Sequence, residues 1–172
     1  EGLAATVDLN DTGGGAEVEQ AYVSLDLGGG LGLKAGLFLT PLGYEGAEPI
    51  FLNQFSPSAT TAGIYPGYAN GIAATYGNDL GTLYVSAVDG SFTADRDADD
   101  LSLEAQLKMS PTEGLTLQAG YASQDYAAVA ADADGAGASD AHDQSIANFW
   151  AQYQTGALTV AAEYNSLSEY AE

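Results

Sequence analysis

Few residues in this chain could support catalysis. The sequence contains one histidine, His142, and no cysteine. A Ser-His-Asp triad or a metal site built on histidine would therefore have to use His142, and thiolate chemistry is excluded. A pair of carboxylates such as Glu104 and Glu163 is the remaining route to catalysis, but nothing in the sequence places the two close together. We predict that the protein is not an enzyme and needs no cofactor.

Two groups of aspartates offer oxygen ligands of the kind that calcium prefers. Neither group has the twelve-residue spacing or the closing glutamate of a known calcium loop. We interpret both as solvated acidic loops and predict no metal site. The two groups are Asp95, Asp97, Asp99 and Asp100 around Arg96, and Asp132, Asp134, Asp140 and Asp143.

Charge and composition limit the partners and the fold class that this protein can have. The 172 residues include 24 acidic and 3 basic ones, for a formal net charge of -21. Such a charge would repel nucleic acid and anionic lipid head groups, so any charged partner should be a cation. The length suits a single domain over residues 1–172, and no apolar run is long enough for a spanning helix. The 22 glycines and 11 tyrosines favour strands over helices.

Period-two alternation divides the chain into about nine runs, each bounded by Gly, Asn, Asp or Pro. In the sixth run the apolar residues between Leu101 and Met109 alternate with polar ones. A helix would mix these two sets on its surface. The other runs alternate in the same way, so we predict an all-β fold whose strands each have one apolar and one polar face.

The links between the runs are alternately short and long. Outer-membrane barrels have this arrangement because their antiparallel strands place short turns at the periplasmic end and longer loops at the outer end. We therefore predict an antiparallel up-and-down transmembrane β-barrel. The short links are residues 28–32, 77–81, 110–114 and 154–157, and the long ones lie around residues 13–15 and over 44–70, 89–100 and 127–144.

The distribution of charge predicts which face of this barrel meets lipid. The apolar face carries no charge in mid-strand, where a charge facing lipid would cost about 2–4 kcal/mol. Tyrosines on this face should form an interfacial aromatic belt, with Tyr76 and Tyr153 at the periplasmic rim and Tyr121 and Tyr164 toward the outer rim. Trp150, on the polar face, should pack in the lumen or contact solutes. The residues predicted to line a water-filled lumen are Lys34, Glu104, Lys108, Gln118, Gln152 and Glu163.

A soluble ligand-binding barrel, with the Leu, Val and Ala side chains inside, is the alternative architecture. For a membrane barrel the number of runs also matters, because bacterial outer-membrane barrels have an even number of strands. An odd number near nine would leave two edges, which cannot be exposed to lipid. The chain opens on Glu1 and stops at Glu172 within or just after a strand. We expect a mature chain or an excised piece, and within a membrane an incomplete part of a larger barrel.

One stretch, residues 34–79, carries a recognisable motif. A Gly-x-Phe-x-x-Pro-x-Gly-x-Glu strand end precedes a long loop with an Asn and Ser cluster, followed by a Pro, a Gly and a strand that ends in Tyr. The positions are Gly36, Phe38, Pro41, Gly43, Glu45, Asn53, Ser56, Ser58, Pro66, Gly71 and Tyr76. This pattern resembles the OmpL-like β-barrel porins of Gram-negative outer membranes.

The resemblance implies a passive diffusion channel for small hydrophilic solutes, with the long loop folded into the lumen. One departure is that no Arg stands among the loop serines, so an anion-attracting group is missing. We predict that residues 45–69 form the constriction, where charged side chains set ion selectivity. A compact outer loop packed on its own aromatics is the alternative. The predicted constriction residues are Glu45, Glu48, Asn53 and Gln54.

The sequence thus predicts an outer-membrane porin. Its partners would be small hydrophilic solutes or cations and the membrane lipid, but not nucleic acid. Cations should pass more readily than anions because acidic residues outnumber basic ones eightfold. A homotrimer is one assembly open to it. The competing function is a structural or adhesive outer-membrane barrel with a plugged lumen.

Overall fold

The structure of the protein is a computed structural model, and it describes residues 2–11, 15–44, 65–92, 101–126 and 142–171. Each of the nine predicted runs forms a strand. No helix that is long and apolar enough to cross a membrane occurs within these ranges. The strands are β1 (Gly2–Asp11), β2 (Ala16–Gly28), β3 (Leu31–Leu39), β4 (Tyr68–Asn78), β5 (Gly81–Asp89), β6 (Leu101–Thr112), β7 (Leu115–Tyr126), β8 (His142–Thr155) and β9 (Leu158–Ala171).

All nine strands belong to one antiparallel sheet in which each strand pairs with the next one along the chain. The predicted all-β, up-and-down fold is therefore confirmed. In the described part of the chain, β1 pairs only with β2 and β9 pairs only with β8. The sheet is open at these two edges, as we expected for part of a barrel.

The two ends of the sheet differ in their connections. At one end, β2–β3, β4–β5, β6–β7 and β8–β9 are each joined by a two-residue turn. In the turn between β2 and β3, Gly29 and Gly30 have φ angles of 62° and 84°, which side chains disfavour but which the primed hairpin turns require. At the other end, residues 40–67, 90–100 and 127–141 separate the strands. The alternation of short and long links is confirmed at these seven connections.

The link between β1 and β2 differs from the prediction. The sequence around residues 13–15 was expected to be one of the long loops, but only residues 12–15 separate the two strands. The reason is that polar residues continue the ladder: Asn10 pairs with Glu17, and Asp11 pairs with Ala16. A polar strand end can pair through its backbone as well as an apolar one can.

The apolar face of the sheet points outward. On β6, Leu101 and Leu103 are each 55% exposed, whereas the next residue, Glu104, is only 3% exposed. Polar side chains on the neighbouring strands, such as Gln118 and Asn148, are also buried on the inner face. This is the reverse of a soluble protein, in which large apolar side chains are mostly inside. A soluble barrel filled by its Leu and Val residues is therefore not what this sequence forms.

Tyrosines flank the outward apolar residues. Tyr76 and Tyr153 are half-exposed and lie two residues before the ends of β4 and β8, next to the two-residue turns. Tyr121 and Tyr164 lie nearer the middle of their strands, and on the outward side each is followed by a serine, Ser123 on β7 and Ser166 on β9. The strands thus extend beyond the apolar band, and tyrosine occupies both of its borders. Such aromatic borders are typical of a lipid-facing surface.

The alternation predicted a polar inner face, but this face also carries buried apolar side chains. One buried apolar cluster lies on β3, β4 and β5 and comprises Phe38, Ala69, Ala73, Tyr84 and Val88. A second cluster joins Leu42 to Ala122 on β7 and Ile146 on β8, with Tyr65 and Phe92 packed against it. Three members of the second cluster come from outside the strands, so a connecting segment must enter the barrel interior.

Candidate functional site

The chain turns inward directly after β3. We call residues Thr40–Tyr44 the crossing segment, because they extend from β3 to strands on the far side of the sheet. Thr40 holds the start of this segment beside the start of β4: its N–H donates to the Gly67 carbonyl (3.3 Å) and its hydroxyl donates to the Pro66 carbonyl (3.3 Å). The Gly67 N–H in turn donates to the Ser91 carbonyl (3.2 Å). The two ends of the long β3–β4 connection are thus hydrogen-bonded to each other where β3 ends and β4 begins.

The reach of the crossing segment requires a strongly curved sheet. Tyr44, five residues after the end of β3, donates its N–H to a carboxylate on β9. In the sheet order β9 lies six strands from β3, which in a flat sheet would be about 29 Å. Five extended residues span at most about 18 Å. The sheet must therefore be strongly curved, and the crossing segment spans the space between β3 and β9 on its concave side.

The middle of the crossing segment is fastened to β6, β7 and β8. The Gln106 side-chain amide donates to the Pro41 carbonyl, and the Trp150 indole N–H donates to the Gly43 carbonyl (3.1 Å). Leu42 is buried against Ala122 and Ile146. β7 leaves space for this leucine by having Gly120 beside it, where a Cβ atom would come within 3.2 Å of the Leu42 Cγ.

Tyr44 completes the crossing with three contacts. Its N–H donates to Oε1 of Glu163 (3.0 Å), and its hydroxyl donates to Oε1 of Gln152 (2.9 Å). Its ring meets that of Trp150 edge-on, with centroids 5.2 Å apart and planes at 68°, an arrangement that aromatic quadrupoles favour. Two of the three partners, Gln152 and Glu163, are residues that the sequence predicted to line the lumen.

Glu163 binds both flanks of the long connection. Besides the Tyr44 N–H, its carboxylate accepts hydrogen bonds from the Tyr65 hydroxyl and from the Asn148 side-chain amide (2.7 Å). Burial, and in addition the hydrogen bond to Glu163, raise the pKa of the Tyr65 phenol above its ordinary value, so this phenol keeps the proton that it donates. One carboxylate on β9 therefore ties the residues before and after 45–64 to the opposite wall.

The other predicted lumen residues all project from the inner face, in different surroundings. Glu104 is buried and accepts hydrogen bonds from the Ser86 and Ser91 hydroxyls (2.8 and 2.7 Å). The Lys34 ammonium lies over the ring of Tyr22, and the Lys108 ammonium lies 5.6 Å from the centroid of the Trp150 ring. Gln118 is buried, and its amide nitrogen has no partner among the described residues.

Several predictions fall outside the described residues. These are the constriction residues Glu45, Glu48, Asn53 and Gln54 and every aspartate of the two groups except Asp143. Within the described ranges, no group of histidine and carboxylate side chains could hold a metal ion. Among the described residues, Glu104 and Glu163 share no partner, because each accepts hydrogen bonds from a different set of residues. The geometry thus gives no support to the carboxylate pair that the sequence left as a route to catalysis.

Sequence reasoning did not identify Gly43, Tyr44, Tyr65 or Gly120 as site residues. Gly43 belonged to the motif, but as a turn residue, and Tyr44 and Tyr65 stood in a stretch without periodicity. The signal that was available is the sequence Pro41-Leu42-Gly43-Tyr44. There an apolar and an aromatic side chain follow a strand end in a segment that is otherwise suited to a turn.

Comparison with known families agrees with this architecture. A family model described as "Putative beta-barrel porin-2, OmpL-like" matches residues 2–172. The chain belongs to this porin family. No curated protein and no solved structure matches the chain. Membership of this family suggests a porin rather than an enzyme. The residues that the family model matches include the crossing segment and all nine strands.

Proposed function

We propose that this OmpL-like porin lies in the outer membrane of a Gram-negative bacterium and lets small hydrophilic solutes and ions diffuse passively across it. The observation that carries the proposal is the inverted burial of the sheet. Polar side chains such as Glu104 and Gln118 face the enclosed side, while Leu, Val and Tyr face outward. Lipid is the solvent that suits such an outer face, and water suits the inner one.

The outward face provides a direct test of the lipid contact. Phe149 lies in the middle of the outward residues of β8 and is 50% exposed. Phe149→Arg should reduce the free energy of unfolding in lipid vesicles by about 2–4 kcal/mol, because a charge near the bilayer midplane must be desolvated. Ser145→Arg, on the same outward side of β8 but beyond the apolar band, should cost much less. Urea titration followed by fluorescence of the single tryptophan, Trp150, measures both. Equal costs at the two positions would contradict a lipid-facing band.

In the proposed channel the crossing segment carries the long connection into the lumen. The contacts of Tyr44 and Tyr65 with Glu163 hold both flanks of residues 45–64 on the inner side of the sheet. A loop held at both flanks has few ways to leave the lumen. The constriction would then contain Glu45, Glu48, Asn53 and Gln54, whose carboxylates and amides would line the water path.

We further propose that the channel favours cations. The whole chain has 24 acidic and 3 basic residues, and a lumen with this balance raises the local concentration of cations. In planar bilayers with a potassium chloride gradient, the reversal potential of the full-length protein should have the sign of a cation-selective pore. A reversal potential of the opposite sign would contradict the preference, while any stable conductance would still support a porin.

A plugged barrel is the second candidate, and one observation favours it. The buried cluster of Leu42, Ala122 and Ile146, with Tyr65 and Phe92 against it, occupies space on the inner side of β7 and β8. If the remaining lumen is closed in the same way, the barrel would serve a structural or adhesive role. Correctly folded full-length protein without conductance in planar bilayers would support this second function and overturn the first.

A further inference from the structure

A cavity on the inner face adjoins the crossing segment at Pro41, but no residue of β6–β9 lines it. It has a volume of about 450 Å³ and lies against β2–β5, with lining residues from Gly30 in a two-residue turn to Leu39 at the end of β3. This volume suits a small solute, since ligand pockets begin at about 300 Å³. Its lining includes Ser24, Asp26, Lys34, Thr75 and Tyr84, with Leu39 and Pro41 contributed by the end of β3 and the crossing segment.

Lys34 supplies a fixed positive charge to this cavity. Its ammonium nitrogen lies 4.5 Å from the centroid of the Tyr22 ring and 5.3 Å from that of Phe38. Two aromatic faces thus position the ammonium by cation–π attraction. No ion pair joins Lys34 to a carboxylate in the part of the chain that the structure describes. Its three N–H donors therefore remain available to a ligand.

Asp26 supplies a negative charge to the same cavity. In the pairing of β2 with β3, Ser24 lies opposite Lys34 and Asp26 lies opposite Gly32. Asp26 and Lys34 are therefore diagonal neighbours on one face, a separation of about 7–8 Å between residues. Oδ1 of Asp26 accepts a hydrogen bond from the Gly28 N–H (2.8 Å), which holds the carboxylate at the turn. Although the two charges are neighbours, the lysine is directed to the aromatic rings instead of to the aspartate.

Tyr84 adds a polar group without a partner. Its side chain is only 6% exposed, and its hydroxyl makes no hydrogen bond with the described residues. The nearby Ser86 hydroxyl donates to Glu104 (2.8 Å). A buried hydroxyl without a partner is costly, and a ligand in the cavity that Tyr84 lines could provide the missing hydrogen bond.

We propose that this cavity is a binding subsite for small zwitterionic solutes, which carry one carboxylate and one ammonium group, as amino acids do. The inference rests on the proposed porin function. Lys34 would bind the carboxylate and Asp26 the ammonium. A simple anion would be repelled by Asp26 and by the net charge of -21. That net charge attracts a simple cation to the lumen, but Lys34 would repel the cation within the cavity itself. A zwitterion carries no net charge, and it can bind Lys34 and Asp26 at the same time.

Four molecules of nearly equal size test this assignment. Alanine is a zwitterion, lactate an anion, alaninamide a cation and lactamide is uncharged. Each is added to the full-length protein in planar bilayers in about 0.1 M potassium chloride, where screening extends over roughly 10 Å, and the reduction of the single-channel current is measured against concentration. We expect alanine to reduce the current at a concentration several-fold lower than the other three. Lys34→Gln and Asp26→Asn should each remove this advantage, whereas Lys34→Arg should keep most of it.

The matched control is Asp79→Asn. Asp79 lies in the two-residue turn between β4 and β5, at the same end of the sheet, and does not line the cavity. This variant removes the same charge as Asp26→Asn, but outside the cavity, so it should leave the response to alanine unchanged. If the four solutes reduce the wild-type current equally, the proposed subsite is contradicted while the porin function stands. This comparison uses only the wild-type protein, so it tests the subsite even if a variant fails to fold. Absence of any channel current overturns both proposals together.

Discussion

Gly43→Ala is expected to displace the crossing segment and to destabilise the protein by about 3 kcal/mol. Gly43 has a φ angle of 102°, and a Cβ atom at this position would lie 2.7 Å from atoms of the Tyr65 ring. Such a backbone conformation costs a side chain about 1–3 kcal/mol, and forcing extra volume into a packed site costs a similar amount. The ring cannot simply move aside, because the Tyr65 hydroxyl is bound to Glu163.

The measurement uses the single tryptophan of the chain. The Trp150 indole N–H donates to the Gly43 carbonyl, so its emission and its quenching by acrylamide report directly on this part of the crossing segment. In Gly43→Ala we expect a red-shifted emission, stronger quenching and a lower urea midpoint. Gly67→Ala is the matched control, because a Cβ atom at Gly67 would have nothing within 4 Å. Equal effects of the two substitutions would contradict a tightly packed crossing.

Glu163→Ala is expected to free both flanks of the long connection and to raise the single-channel conductance. The substitution removes an acceptor from the Tyr44 N–H, the Tyr65 hydroxyl and the Asn148 amide. Hydrogen bonds to a charged group contribute about 1.5–3 kcal/mol each when buried. Glu163 is exposed at the sheet edge, so solvent screening reduces the sum to about 2 kcal/mol. A loop that is no longer held against β9 should obstruct the lumen less.

Conductance and current noise in planar bilayers measure this effect. The control is Glu113→Ala, which removes a carboxylate from the exposed turn between β6 and β7. Glu163→Gln should be intermediate, because its amide keeps one acceptor oxygen but cannot serve three donors equally. If Glu163→Ala and Glu113→Ala have the same conductance as the wild type, Glu163 does not hold an obstructing loop.

The strands and their orientation could be predicted from the sequence because the signals are local. Alternation between Leu101 and Lys108 places apolar and polar residues on opposite faces of β6, and the structure has them there. The two-residue turns follow from Gly, Asn and Asp at the run ends, where the backbone needs these residue types. Charge separation between the faces also indicated the outward direction of the apolar side chains. Each inference used residues within about ten positions of one another.

Where the prediction failed, the deciding interaction was not visible in the alternation. The polar residues around 13–15 predicted a long loop, but β1 and β2 pair as far as Asp11 and Ala16, because the ladder uses backbone groups that every non-proline residue has. The inner face was expected to be polar, but Phe38 and Ile146 are buried there. Whether an inward residue meets water or a packed side chain depends on what enters the lumen.

The sequence by itself thus determined the sheet, its short turns and the opposite character of its two faces. Only the tertiary structure decided how the long connection begins and ends inside that sheet. Glu163 is 119 residues from Tyr44 and 98 from Tyr65, and Leu42 meets Ala122 and Ile146 at similar separations. No periodicity relates such residues. They come together because the sheet curls, and its curvature is the sum of small twists and pairings along all nine strands.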